Sequence, residues 1–310
     1  MLPPPIVKQP HYVWRHYLEA WEVGGKLHVL RADKSFASAA SGVAKEGGFH
    51  DLPILSDDDV EFLIATSVKP EAPQAQQHRE FIDLMVAAQR VSSAVAANPR
   101  AHSEEEVAWA TKILRDTEET LASSVEDLGL PWLAALREGD CSFLHSDDNN
   151  LFFYFVAMQY LRTKAVAHSV VCSVRGSKLA RFEALFERTW PLMRQIHAID
   201  IAAGLYSTRN SYSLVFLDNE CPVDFIAGDQ PMINIHSVQR RGAIPDKFEL
   251  YYPLTPRRAM LWTQAFPGQQ GARFRIGEKV VEHHNRMIAA ASHEMIFATS
   301  GAALAPYRSN

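Results

Sequence analysis

Cysteine is scarce and comes unpaired: the 310 residues hold three, Cys141, Cys172 and Cys221, with no CxxC among them. That count excludes a disulfide framework and a cysteine-built zinc site, and leaves reduced, buried thiols as the expectation. Long apolar runs are also lacking. The longest, 151–161, is interrupted by Gln159 and falls short of the roughly 20 residues that cross a bilayer. Residues 1–10 are rich in proline and carry no apolar core of a signal peptide. A cytoplasmic protein without membrane contact is expected. The net charge of −5 gives no global attraction to nucleic acid or to an anionic membrane. HExxH, a Walker loop, GxGxxG and GxSxG are absent too.

What is present reads as a helix-rich α+β protein. Pro3, Pro4, Pro5 and Pro10 hold an extended lead, and 26–30 alternates as a short strand. Ser56 before Asp57, Asp58 and Asp59 opens a helix: the hydroxyl caps, and the carboxylates favour the positive end of the dipole. Residues 76–97 show an apolar stripe of Phe81, Leu84, Met85, Ala88, Val91 and Val95. Ser103 with Glu106 has capping-box spacing and opens the next helix, joined to the previous one at Asn98-Pro99 as an antiparallel pair. A short helix is expected at 130–138, and a long one from 147 to about 174, capped by Ser146. Another runs from 178 to 203, kinked at Pro191. Strands follow at 213–217, 223–227, 248–252 and 258–263, then a closing helix over 277–298. The sequence shows no linker, so one domain over 1–310 is expected: mainly helical over 56–204 and mainly strands over 205–276. A small, mostly antiparallel sheet would take the C-terminal strands, with 26–30 a candidate addition.

Charge is uneven along the chain. Residues 100–148 hold 12 acidic and 4 basic groups, whereas 162–194 hold 7 basic and 2 acidic, and 239–279 hold 8 basic and 3 acidic. Local basic surface is therefore available to nucleic acid despite the acidic total, although a solvated helix face explains any single residue equally.

Three segments carry polar groups that a plain core does not need. If 11–18 is helical, His11 and Arg15 share a face, and a guanidinium beside an imidazole suits an anion; aromatic packing with wet polar tips is the competing reading. In Phe225-Ile226-Ala227-Gly228-Asp229-Gln230-Pro231 a strand ends on Asp229, placed either for catalysis or for an Asx turn. In Glu282-His283-His284-Asn285-Arg286 the adjacent histidines point apart and cannot readily share a metal; His284 fits the core stripe, and Asn285 can bond a backbone turn or a substrate. His145 with Asp147 and Asp148 reads better as a helix entrance than as a metal cluster. Gln159 and Arg162 lie at i,i+3 on a very apolar helix, where a buried arginine calls for a carboxylate such as Asp229.

In this order the segments resemble the family catalogued as domain of unknown function 4238, over roughly residues 11–299. The family's His-Tyr-Val-Pro-Arg-Phe-Tyr-Leu is similar to 11–18, and its Gln-x-x-Arg-Thr to Gln159, Arg162 and Thr163. Its Phe-Ile-Thr-Ser-Asp-Asn-Pro is similar to 225–231, its Pro-Leu-Ser-Pro to 253–256, and a closing helix bears Asn285. The resemblance implies shared positions and no reaction. Trp14, Ala227, Gly228 and Gln230 depart from the pattern, and two hydroxyls beside Asp229 are lost.

These residues lead to the expectation of a nuclease-like phosphoester hydrolase, with RNA favoured, as in a bacterial defence or toxin effector. Arg15, Gln159 and Arg162 would bind substrate, with the arginines on phosphate oxygens. His11 would act as general acid or base, Asp229 would orient it or act as the opposite partner, and Asn285 would donate a hydrogen bond. No cofactor is required, although Asp229 with His11 can host a divalent metal. The alternative is a non-enzymatic binding or interaction protein in which the same residues form a structural network.

Overall fold

The computed structural model describes residues 3, 11–47, 53–146, 149–239 and 247–308. The helices are α1 (Arg15–Leu18), α2 (Asp57–Ser67), α3 (Ala75–Ala97), α4 (Glu104–Glu138), α5 (Asn150–Leu161), α6 (Lys164–Arg175), α7 (Glu183–Thr208), α8 (Ile235–Gln239), α9 (Glu278–Ala291) and α10 (Gly301–Leu304). The strands are β1 (Leu27–Arg31), β2 (Lys34–Ser38), β3 (Ser213–Asn219), β4 (Ala227–Gly228), β5 (Ile233–Asn234), β6 (Leu250–Thr255), β7 (Arg258–Thr263), β8 (Arg273–Ile276) and β9 (Met295–Ala298). The class is α+β, as the sequence implies. The chain divides into two compact units.

The first unit contains Glu46–Val125 and Ser169–Ile201 and is helical. Ser56 caps α2 as expected: its hydroxyl accepts from Asp59 N–H at 3.2 Å, and the Asp59 carboxylate accepts from Ser56 N–H at 3.0 Å. The same exchange joins Ser103 and Glu106 ahead of α4, at 3.2 and 2.7 Å. Helix α3 forms where its apolar spacing indicates, but its buried face is turned away from part of the expected stripe: Met85 is buried, and Phe81, Ala88 and Val95 are half-buried. Ile82, Met85, Val86, Gln89 and Ser92 turn inward, while Leu84 and Val91 are 67% and 66% exposed. A polar residue lies on this face. Gln89 is buried because its amide donates to Pro53 O at 2.9 Å and accepts from Leu55 N–H at 3.4 Å, which satisfies a group otherwise costly to bury. Pro191 lies inside α7, which continues through it.

Asp59 also receives the Arg188 guanidinium, whose Nε and Nη2 donate to one carboxylate oxygen at 2.9 and 2.8 Å. Burial works to raise its pKa, but Arg188 and Ser56 outweigh burial and hold it below the usual range. The sign follows: a depressed folded-state value contributes stability above the unfolded pKa of about 3.9, and loses it as pH falls through the folded value. Asp59→Ala is therefore expected to cost about 2 kcal/mol at neutral pH. In urea unfolding, the gap to the parent chain should close as pH drops below about 4; an equal gap at neutral pH and pH 3 would contradict it.

The second unit contains His11–Lys45, Glu126–His168 and Ala202–Asn310. It holds two sheets rather than one. A five-stranded sheet runs β5-β6-β7-β3-β8, antiparallel except for β3 beside β8. A four-stranded antiparallel sheet runs β2-β1-β9-β4, so the N-terminal strand does pair with a C-terminal one. β2 was not expected; Ala32 and Asp33, with φ of 46° and 64°, turn β1 back on it, and positive φ at both central residues matches the twist of a two-residue hairpin. Helix α4 continues through Pro131 to Glu138, where a separate short helix was expected. Just before that proline, a Cβ on Gly129 would lie 2.3 Å from the Phe155 ring, so α4 and α5 approach closely there.

Three other boundaries differ from expectation, one through a local cap and two where distant partners claim the backbone. The long helix expected from 147 divides into α5 and α6 at Arg162-Thr163, where the Thr163 carbonyl and hydroxyl accept from Ala167 and Val166 N–H groups. Its expected start at 147–148 lies outside the described residues; α5 is preceded by Asn149. The strand expected over 223–227 shrinks to β4, since Phe225 N–H donates to Pro256 O and Phe225 O accepts from the Trp21 indole. The closing helix stops at Ala291, and 295–298 becomes β9 instead.

Candidate functional site

The N-terminal segment is not helical at His11. That residue bridges Lys45, Tyr12 N–H donates to Ala44 O at 2.9 Å, and α1 begins only at Arg15. His11 and Arg15 therefore do not share a helix face. The Arg15 guanidinium is 46% exposed and pairs with Glu19 at 3.2 Å. The His11 imidazole is held below its ordinary pKa, first by burial and then by the charges of Lys45, Arg15 and Arg162.

Arg162 does reach the N-terminal segment, donating from Nη2 to His11 O at 2.6 Å. Its carboxylate is Glu126, on α4, and not Asp229 as expected. Both partners are removed from water: their side chains are 4% and 16% exposed. Burial pushes the Glu126 carboxyl above its usual range despite the pull of Arg162. Gln159, one turn earlier on α5, is buried.

Asp229 follows β4 at the strand end, where the sequence placed it. It serves neither a local Asx turn nor an open cleft. One carboxylate oxygen accepts from His293 N–H at 2.7 Å, and the other from Glu294 and Met295 N–H at 2.7 and 3.0 Å. Asp229 N–H donates in turn to Met295 O at 3.0 Å. The residue is 1% exposed, and burial raises its carboxyl pKa against the pull of the three donors. This is why the closing helix ends early: the N–H groups that would begin another turn point at a carboxylate.

Asn285 works at the other end of the same segment. Its oxygen accepts from Ile226 N–H at 3.0 Å and its amide donates to Asp224 O at 2.8 Å. Asp224 is itself held by Arg257 at 2.8 Å and by the Thr299 hydroxyl at 2.6 Å. His284 is the core histidine expected, bonded to Val280 O at 2.8 Å and lying over the Tyr251 ring.

The departures from the family pattern are built into this packing. A Cβ at Gly228 would fall 2.1 Å from the Ser292 hydroxyl oxygen, so a second serine occupies that space. Gln230 accepts from the Thr163 hydroxyl and donates to Tyr160 O at 3.1 Å and Met232 O at 2.6 Å. Trp14 packs edge-on against Phe155.

Residues the motifs did not single out complete the arrangement. Lys164 pairs with Glu294 at 2.9 Å and lies 4.6 Å above the Tyr12 ring centre. Glu294 also takes Arg31 at 2.9 Å. His11 and Arg162 thus meet directly. Thr163 and Lys164 then connect that contact to the Asp229 segment. Arg15 and Asn285 engage other partners. Among the described residues no group of three or more His, Cys, Asp or Glu side chains is placed to hold a metal ion, and no helix is long and apolar enough to cross a membrane.

A family model described as a protein of unknown function, DUF4238, matches residues 9–302. No curated protein and no solved structure matches the chain.

Proposed function

The chain belongs to the DUF4238 family, and from that premise we propose that it is a non-enzymatic binding or interaction protein whose motif residues form a structural clasp. The enclosed Asp229 carboxylate carries this reading. A general acid or base must reach the substrate, and this carboxylate is 1% exposed and is held by three backbone donors. Asn285 likewise spends its amide on the backbone of 224 and 226. The clasp ties the N-terminal segment, the α5–α6 junction and the start of β9 into one piece. Three free thiols fit the reducing conditions of the cytoplasm, the compartment proposed.

A phosphoester hydrolase, RNA favoured, is the second reading. It draws support from His11, an imidazole whose pKa is lowered by burial and then by the charges of Lys45, Arg15 and Arg162. A neutral imidazole among cations can accept a proton beside a bound phosphate. Incubating the purified parent chain, His11→Ala and Asp229→Ala with total RNA and with DNA separates the two readings. Intact nucleic acid throughout, with Asp229→Ala markedly less stable, is expected. Cleavage by the parent that is lost in a stably folded His11→Ala would replace the clasp reading with the hydrolase.

A further inference from the structure

We propose that His168 and His293 form a two-imidazole site for a divalent transition ion of the zinc and copper(II) class. The proposal rests on the clasp, which holds the segments of the two histidines together, and it names a ligand for the binding protein inferred above. The rings come from distant parts of the chain, His168 from α6 and His293 from the segment between α9 and β9. Both residues are exposed, and the ring centres lie 4.8 Å apart with 38° between the planes.

That separation fits one ion. Imidazole nitrogen binds zinc at about 2.0–2.1 Å, which puts each ring centre about 3.2 Å from the ion. Two centres 4.8 Å apart then subtend about 97° at it, between a square-planar and a tetrahedral angle. Rotation about χ2 turns an exposed ring about its own axis with its centre nearly fixed, so one nitrogen of each ring can be brought to a common point. The second nitrogen of each ring stays available to a neighbouring group, the usual arrangement in a ligating histidine.

The segments are pinned beside the pair. His293 N–H donates to Asp229 at 2.7 Å. The next residue, Glu294, pairs at 2.9 Å with Lys164, one turn before His168 on α6. The ligands are therefore brought together before an ion arrives, and little ordering cost is left to binding. Lys164 and Arg31 are both taken up by Glu294, and Asp229 adds a second carboxylate, so these neighbours carry no net charge against an ion. Two imidazole nitrogens do not suit magnesium or calcium, which take oxygen ligands; they favour copper(II), nickel and zinc. Two protein ligands are fewer than a closed structural site uses, so the ion is exchangeable.

Calorimetric titration of the untagged full chain with zinc chloride and with copper(II) tests the site. One ion per chain is expected, with no uptake of magnesium or calcium. His168→Ala and His293→Ala should each weaken binding by at least about tenfold, and both keep the backbone N–H that Asp229 holds. His283→Ala, at an exposed position of α9, should bind as the parent does. The melting temperature of the parent should rise with zinc concentration, and that of the two variants should not. Electron paramagnetic resonance of the copper-loaded parent supplies a readout that needs no variant: two nitrogens should couple to the ion. An absence of zinc and copper binding, a single coupled nitrogen, or affinity that survives both substitutions overturns the proposal. The clasp is tested by the stability of metal-free Asp229→Ala, so the two readings fail separately.

Discussion

Asp229→Ala should cost about 3–5 kcal/mol in urea unfolding, a large share of the stability of an ordinary domain. The substitution removes one small side chain but strands the N–H groups of His293, Glu294 and Met295 together. A buried donor left without a partner costs about 1–3 kcal/mol. Met295 is buried at the start of β9, whereas His293 is exposed, so water can recover part of the loss there. Asp229→Asn is the sharper probe. It keeps one oxygen as an acceptor and turns an amide toward a donor, so about half the alanine penalty is expected. An active-site carboxylate behaves in the opposite way: its removal leaves stability unchanged or raises it. A melting temperature equal to or above that of the parent chain for Asp229→Ala would therefore sink the clasp.

The sequence made local features legible and left long-range choices hidden. Ser56 and Ser103 were readable as caps because a capping box needs only residues three apart. His284 was readable as core because it follows the apolar stripe of α9. The motif order was enough to indicate the family, and the α+β class followed from the change from helical to strand-like periodicity after Gly204. The inward face of α3 was not legible. Leu84 and Val91 of the expected stripe point outward while Met85 is buried, and the inward face includes Gln89, whose partners near residues 53–55 lie more than thirty positions away. The end of α9 was equally hidden. Nothing in Ala290-Ala291-Ser292-His293 breaks a helix; Asp229 does, from more than sixty residues upstream. Each of these boundaries is a contest between a local preference and a distant hydrogen bond, and periodicity reports only the local side.

Arg162 shows the same limit on a single ion pair. A buried arginine was foreseen to need a carboxylate, and the motif neighbour Asp229 was the obvious candidate. The partner is Glu126, one of many acidic residues between 100 and 148 with nothing local to distinguish it. Replacing Arg162 with methionine should cost about 3–5 kcal/mol, because it leaves Glu126 buried and unpaired. It also removes the donor to His11 O. Most of that penalty is the stranded carboxylate and not the attraction itself. Glu126→Leu alone should be costly for the mirror reason, since Arg162 then loses the carboxylate at its Nη1. The double variant, Arg162→Met with Glu126→Leu, should be less destabilised than either single change, because a matched apolar pair replaces a matched ionic one. Urea unfolding of all four chains supplies the coupling energy. Additive losses would mean that the two side chains do not depend on each other, and the joint between the N-terminal segment and the α5–α6 junction would have to be sought elsewhere.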